Sequence, residues 1–474
     1  MTSLAFRRTR ADGGDDRSIG LGIATTLVIG NMIGSGVFLL PASLASFGGI
    51  SVVGWLFTAV GAFLLALVFS RMSRAYPRTG GPYAYSRRAF GDFVGFQTAW
   101  GYWLAAWIGN AAIAVAGVSY LGYFWGTASG TSTSDHVLQA LMAGVMIWVL
   151  TLVNLRGVRS GGLVQAVTTV LKLVPLVALA FVGIFWMDTA NFGGFNTSGD
   201  SFAGAVTGVA ALTLWAFIGL ESATIPAEHV RDPKRNIPRA TLFGTLGTAV
   251  VYVLGTVAVM GIIPAETLAS SSAPFADAAK EIWGGWAGDA VALGAIVSTF
   301  GCLNGWILLQ GQMPFAAARD RLFPAGFARL NKYGAPAFGL VVSSLLMTAF
   351  MVPNYNSSLV SKFTDFILLA TTTTLIAYLY GAAAQLALLV TDRETFRVRS
   401  IVQPMTVALL AVAYVLWTIW GAGYRSATWA MLLTFAGIPV YVWMKWQSTT
   451  KHIDLTVHDL APLDVPDAER HALI

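Results

Sequence analysis

The chain reads as an all-α polytopic membrane protein, and three features carry that reading. Of its 474 residues, 56% are hydrophobic and 11% charged, against about 25% charged in an ordinary soluble domain. Residues 19–70 contain no Asp, Glu, Lys, Arg or His. A soluble fold would have to expose much of such a stretch, whereas a bilayer is crossed by one helix of about 20 apolar residues. The basic residues, finally, alternate by loop, as the positive-inside rule demands of a multi-spanning chain.

In order, the apolar runs predict twelve spans, each long enough for a hydrocarbon core of about 30 Å. The first (20–44) carries three glycines and a serine near its middle. The second (50–73) and third (93–125) flank a loop with Arg71, Arg74, Arg78, Arg87 and Arg88. The fourth (136–155) ends before Arg156 and Arg159, and the fifth (162–187) encloses Lys172. The sixth (203–227) has Gly219 near its middle, and Arg231, Lys234, Arg235 and Arg239 separate it from the seventh (238–263). The eighth (286–313) precedes Arg319 and Arg321, followed by the ninth (336–353), the tenth (360–390) and a final pair at 400–421 and 426–444.

With the N-terminus placed in the cytoplasm, 25 of the 29 Lys and Arg fall on that side and three on the other, leaving Lys172 inside a span. An even number of spans with both termini cytoplasmic follows. The net charge of +6 is therefore topology, and no nucleic-acid partner is expected. The predicted organisation is an arm (1–18), a core (19–390), the eleventh and twelfth helices (391–445) and a tail (446–474). The core contains two groups of five spans (19–187 and 203–390), and an odd-numbered group places its copy upside down. The first run continues into a second helix, so a cleavable signal is not expected. The single cysteine, Cys302, excludes an intrachain disulfide and any multi-cysteine metal site.

Span 1 reads Gly30-Asn31-Met32-Ile33-Gly34-Ser35-Gly36. Two readings stand for it. One is a small-residue packing face. The other is an unwound segment whose freed amides at Ser35 and Gly36 start a half-helix and bind an anion. The sixth span favours the second, because Gly219 and Glu221 follow Trp215 and Ile218 at the matching position of the second group. Lys172 and Glu221 lie where a charge costs at least about 2.5–3.5 kcal/mol on insertion scales. Each is a candidate for function, against snorkelling for the first and a helix-end carboxylate for the second. Trp215 and Trp306 sit mid-helix, as packing residues or as faces for a cation. Asn110 suits a ligand or a neighbouring helix equally, and the threonines at 371–374 suit their own backbone. All five histidines fall in loops, at helix ends or in the tail, so Ser35 has no base. No zinc motif or Walker lysine occurs, and neither an enzyme nor an ATP-driven pump is expected.

These residues resemble the amino acid–polyamine–organocation (APC) superfamily of secondary transporters, and within it the bacterial arginine/agmatine antiporters, from about residue 20 to about residue 443. The resemblance rests on residues 30–41, Gly80-Gly81-Pro82-Tyr83-Ala84-Tyr85-Ser86-Arg87-Arg88, Tyr102-Trp103-Leu104-Ala105-Ala106-Trp107-Ile108-Gly109-Asn110, residues 214–222, Asp232-Pro233-Lys234-Arg235-Asn236 and residues 306–312. It implies a five-plus-five inverted repeat with discontinuous helices 1 and 6 plus two extra helices, as a homodimer in the inner membrane, without cofactor or metal. It implies a small amino acid or polyamine substrate whose carboxylate meets the amides of Ser35 and Gly36. The α-amine would meet carbonyls at Met32, Trp215 and Ile218, and the side-chain cation would lie near Trp215 and Trp306. Ala105, Ala106, Asn110 and Ala370 would complete the pocket. Tyr102, Glu221 and Tyr378 match gating positions, and Tyr83 lies on the extramembrane gate side. The antiporters differ in having Cys, Met and Ser where this chain has Ala106, Ile113 and Ala370, which removes contacts to a guanidinium. They also lack the lysine at Lys172, which in other branches stands in for sodium. The expectation is sodium-independent exchange of a cationic amino acid for its decarboxylated amine, with a proton-coupled carrier of neutral or broad-range amino acids using Lys172 as the alternative and a non-transporting receptor as the remote one.

Overall fold

The computed structural model describes residues 19–125, 133–157, 168, 172–225, 227, 230–352, 359–396 and 400–447. The predicted arm 1–18 and residues 448–474 of the predicted tail lie outside the described residues. The described chain is helical and runs α1 (Leu21–Met32), α2 (Ser35–Leu44), α3 (Ile50–Ala75), α4 (Pro82–Phe90), α5 (Asp92–Trp125) and α6 (Thr133–Leu155). An apolar helix α7 (Lys172–Trp186) follows. Then come α8 (Phe202–Thr213), α9 (Pro233–Ile262), α10 (Ala265–Ser270), α11 (Pro274–Trp283) and α12 (Gly285–Arg319). The last are α13 (Ala337–Met351), α14 (Leu359–Thr391), α15 (Arg393–Phe396), α16 (Val402–Gly421) and α17 (Gly423–Phe435). The final span runs on from α17 to Gln447, two residues into the predicted tail.

Among the described residues nine helices are long and apolar enough to cross a membrane, and α7, α8 and α13 are shorter. The sixth and ninth runs make shorter helices than expected, whereas residues 162–171 of the fifth lie, apart from residue 168, outside the described residues. At 1.5 Å per residue, the 15 residues of α13 reach about 22 Å, because Pro336 sets its start. The sixth run, expected as one span over 203–227, is a helix only to Thr213. A single tight turn, Leu214–Phe217, then gives way to extended backbone at Ile218. The arginine-rich loop also holds a helix the apolar runs did not reveal. In α4, Pro82 occupies a first-turn position, where its missing N–H is harmless.

Packing follows burial. The window of α5 best suited to span is 94% buried, so this helix lies inside the bundle, whereas the last span is 17% buried and faces outward. Helix α5 packs on α12 and α14, and α9 packs on α1 and α3. The two interrupted segments meet between these groups.

Candidate functional site

Helix α1 stops at Met32 because Ile33 turns extended (φ −75°, ψ 95°), and α2 restarts at Ser35 without a side-chain cap. Stopping a helix leaves its last carbonyls without intrahelical donors. Here side chains supply them. The Lys172 ammonium donates to the carbonyl of Gly30 at 2.6 Å and to that of Ile33. Trp306 Nε1 donates to Asn31 O at 3.0 Å, joined by Cys302 Sγ at 3.4 Å. The Tyr252 hydroxyl donates to Met32 O, and Ser298 Oγ lies 3.5 Å from Ile33 O. Ser298, Cys302 and Trp306 stand four residues apart and form one face of α12. The break is thus a built feature, with every carbonyl from residue 30 to residue 33 engaged.

The second break lies opposite. Gly219 takes φ +113°, and a Cβ there would sit 3.1 Å from the main-chain carbon of Asn31. Only glycine allows both the conformation and the approach. Asn31 Nδ2 donates to Ser222 Oγ at 2.9 Å, tying one break to the other. Glu221 is fully buried. Its carboxylate accepts from Tyr102 OH at 2.5 Å, from Tyr378 OH, and from the amide of Gly219 at 3.3 Å. The three residues expected to act as a gate are therefore one hydrogen-bonded unit joining α5, the second break and α14.

Trp215 and Trp306 stand between the breaks, and together with Ile218 they line two small cavities of about 10 Å³ each. The first is completed by Tyr102, Ala105, Ala106, Gly109 and Thr374. The second is completed by Asn31, Met32, Ser35, Gly36, Ile113 and Cys302. Each has room for about one water molecule, so the rings are closed over the site. The six-membered ring of Trp215 rests on Gly109, where a Cβ would come within 2.7 Å of it. Its Nε1 lies 3.4 Å from Ser35 Oγ.

The fold thus brings Met32, Ser35, Gly36, Ala105, Ala106, Trp215, Ile218 and Trp306 to one place, with Lys172 behind the first break. Two expected pocket residues stand back from it. Ala370 is buried behind Gly109 without lining either cavity. Asn110 donates to Gln310 Oε1 at 2.7 Å, the neighbouring-helix role left open above. Sequence reasoning missed Thr374, Cys302 and Tyr252. Thr374 does bond its own backbone, to Ala370 O at 2.9 Å, as threonines in helices do, and it lines the first cavity as well. The four-residue spacing of Ser298, Cys302 and Trp306 was a signal that could have found the α12 face.

Tyr83 lies outside this region, beside a cleft of about 660 Å³ lined by Tyr76, Arg78, Arg87, Arg88, Arg319 and Asp320, among others. Its hydroxyl donates to Asp320 at 2.6 Å. Burial, and then the carboxylate beside it, push its pKa above the ordinary phenol value. Arg87 pairs with Asp320 at 2.6 Å and with Asp92 at 2.9 Å, and Lys445 closes on Asp92 at 2.6 Å.

The comparisons with known proteins agree with this architecture. The amino acid permease family matches residues 19–443. The cadaverine/lysine antiporter of Escherichia coli (strain K12) is 39% identical over 340 residues, 71% of this chain and 74% of the relative. The arginine/ornithine antiporter of Pseudomonas aeruginosa is 33% identical over 88% of this chain and 89% of its own length. The putrescine transporter PotE of Haemophilus influenzae is 31% identical, over 91% and 98%. Among solved structures, a nucleobase-cation-symport-1 family transporter, Mhp1, crystallised closed with bromovinylhydantoin bound, superposes with a TM-score of 0.56 at 14% identity. It covers 89% of this chain and 94% of its own, and shares the fold. A bundle of membrane helices interrupted twice at one buried point, matched along nearly its whole described length, places this chain in the amino acid permease family.

Proposed function

We propose that this protein is a sodium-independent antiporter that exchanges a basic amino acid for its decarboxylated amine by alternating access. The observation that carries the reading is the pair of facing breaks around Trp215 and Trp306. A carboxylate would take the amides at Ser35 and Gly36, at the positive end of half-helix α2. The side-chain cation would lie among the rings of Tyr102, Trp215 and Trp306, an aromatic enclosure without formal charge. The printed names of the relatives, cadaverine/lysine, arginine/ornithine and putrescine, support this class. Arginine/agmatine and lysine/cadaverine are the pairs to test first. The amine carries one more positive charge than the amino acid, so each turnover moves charge. Tyr102, Glu221 and Tyr378 act as the inner gate and Tyr83 marks the mouth. The arginine-rich face is cytoplasmic, the two groups of five spans are inverted repeats, and the chain works as a homodimer in the inner membrane.

Uptake of labelled lysine or arginine into proteoliposomes tests this. Uptake should require internal amine or amino acid and should be unaffected by replacing sodium with choline. Uptake into empty vesicles under an imposed proton gradient would instead favour proton-coupled carriage. The seat of Lys172 on Gly30 O and Ile33 O is the observation behind that second reading, because an ammonium there occupies carbonyls that could hold a metal cation.

A further inference from the structure

Behind the site, a chain of polar side chains crosses four helices in the membrane interior. Asn110 Nδ2 on α5 donates to Gln310 Oε1 on α12 at 2.7 Å. Gln310 Nε2 donates to Ser344 Oγ on α13 at 3.3 Å. Ser344 and Thr151 of α6 share a hydroxyl contact of 2.7 Å, and Thr151 Oγ1 donates to Ile147 O at 2.8 Å. All four side chains are fully buried.

The far end dictates the direction of the whole chain. A main-chain carbonyl can only accept, so the single hydroxyl hydrogen of Thr151 is spent on Ile147. Thr151 must then accept from Ser344. Ser344, its own hydrogen committed, accepts from the Gln310 amide nitrogen. That leaves Gln310 Oε1 facing Asn110, which turns its nitrogen toward α12. The Asn110 oxygen is left over, buried and without a partner among the described residues. On α5, Ala106 lines the first cavity and Ile113 the second. Asn110 lies four residues after one and three before the other, on the same helix face.

We propose that Gln310 is a specificity-determining positioning residue. By holding the Asn110 amide nitrogen toward α12, it keeps the Asn110 carbonyl oxygen, which lines neither cavity while the rings are closed, as the acceptor that the cationic end of the substrate meets when the site opens. Released, the amide could turn its NH₂ toward the site and set a donor against a cation. No residue lining either cavity carries a formal negative charge, and both oxygens of Glu221 are taken up by tyrosine hydroxyls. The polarity of this one carboxamide therefore decides between a basic amino acid and its neutral isostere. The inference rests on the basic-substrate reading above.

The test compares lysine with norleucine, which has the same four-carbon side chain without the terminal ammonium, as competing substrates in lysine counterflow. Gln310→Leu should raise the lysine KM about tenfold relative to norleucine with little change in kcat, since a site that hydrogen-bonds substrate discriminates by that bond. Gln310→Glu, which still accepts from Asn110, should retain the lysine preference. Thr151→Val, remote from substrate, should shift the ratio in the same direction by a smaller factor, and it replaces Gln310→Leu as the deciding variant if the latter does not reach the membrane. Equal losses for both substrates, or an unchanged ratio, would overturn the proposal. A wild-type protein that takes norleucine as well as lysine would instead overturn the basic-substrate reading.

Discussion

The ammonium of Lys172 is held by main-chain oxygens, a seat the composition could not announce. Placing a lysine at membrane depth costs at least about 2.5–3.5 kcal/mol, and hydrogen bonds to a charged group contribute about 1.5–3 kcal/mol each. Two such bonds offset the burial, which is why a single lysine is tolerated in an otherwise apolar helix. The reverse argument gives a prediction. Lys172→Met relieves the buried charge but takes the Lys172 donor from Gly30 O and Ile33 O, and a buried carbonyl left without a donor costs about 1–3 kcal/mol. The variant should melt several degrees lower in detergent and lose exchange. Equal melting temperature and undiminished counterflow would show that the ammonium does not hold the break. Lys172 and Glu221 stood out in the sequence because they interrupt apolar runs. Their partners did not, since Gly30, Ile33, Tyr102 and Tyr378 are ordinary residues until the fold brings them together.

For single elements, the two breaks were legible to different degrees. Glycines and a serine marked the first, and its position between Met32 and Ser35 agrees with the expectation. The second was visible as Gly219 in mid-span, but not that helix would end as early as Thr213. Propensity does not foretell a tight turn there. What requires it is the approach of residue 219 to Asn31. Gly219→Ala should therefore impose a strained backbone, of order 1–3 kcal/mol, together with a clash against Asn31. We expect strongly reduced transport with the helical content of the protein preserved, measured by circular dichroism beside uptake. Normal uptake in this variant would mean that the breaks need not lie so close. Helix α4 was hidden for a different reason. Its nine residues are too few to make a spanning apolar run and include Arg87 and Arg88, so a search for long apolar runs passed over it, and the loop's arginines read only as topology.

Across the whole molecule, those arginines do more than mark a face. Arg87 joins α4 to the start of α5 and the end of α12. Arg88 reaches Asp392 beyond α14 at 2.9 Å, and Asp392 also accepts from Tyr76 OH at 2.6 Å. Exposed pairs of this kind are individually weak, so the network joins these helix ends without locking them. The Tyr76 hydroxyl and then Arg88 lower the Asp392 carboxyl from 3.8 to about 2. A depressed carboxyl contributes fully above its unfolded pKa and loses that contribution as pH falls through the folded value. The Asp392 contact should therefore persist through moderate acid. Hydrogen exchange at the end of α14, corrected for intrinsic rates, should match at about pH 5 and about pH 8. Loosening at the lower pH would show that Asp392 titrates in that range.

From the sequence alone came the membrane class, the alternation of basic loops and the site of the first break. Most of the residues around Trp215 and Trp306 were also named from it, through resemblance. The first three follow from composition and local spacing, which the solvent, here a bilayer, reads one segment at a time. The tertiary structure decided which donors satisfy the carbonyls of residues 30–33, where the second helix ends, that Asn110 faces Gln310, and how the arginines pair. Each of these joins groups distant in sequence, and a hydrogen bond depends on distance and direction that only the packed helices set.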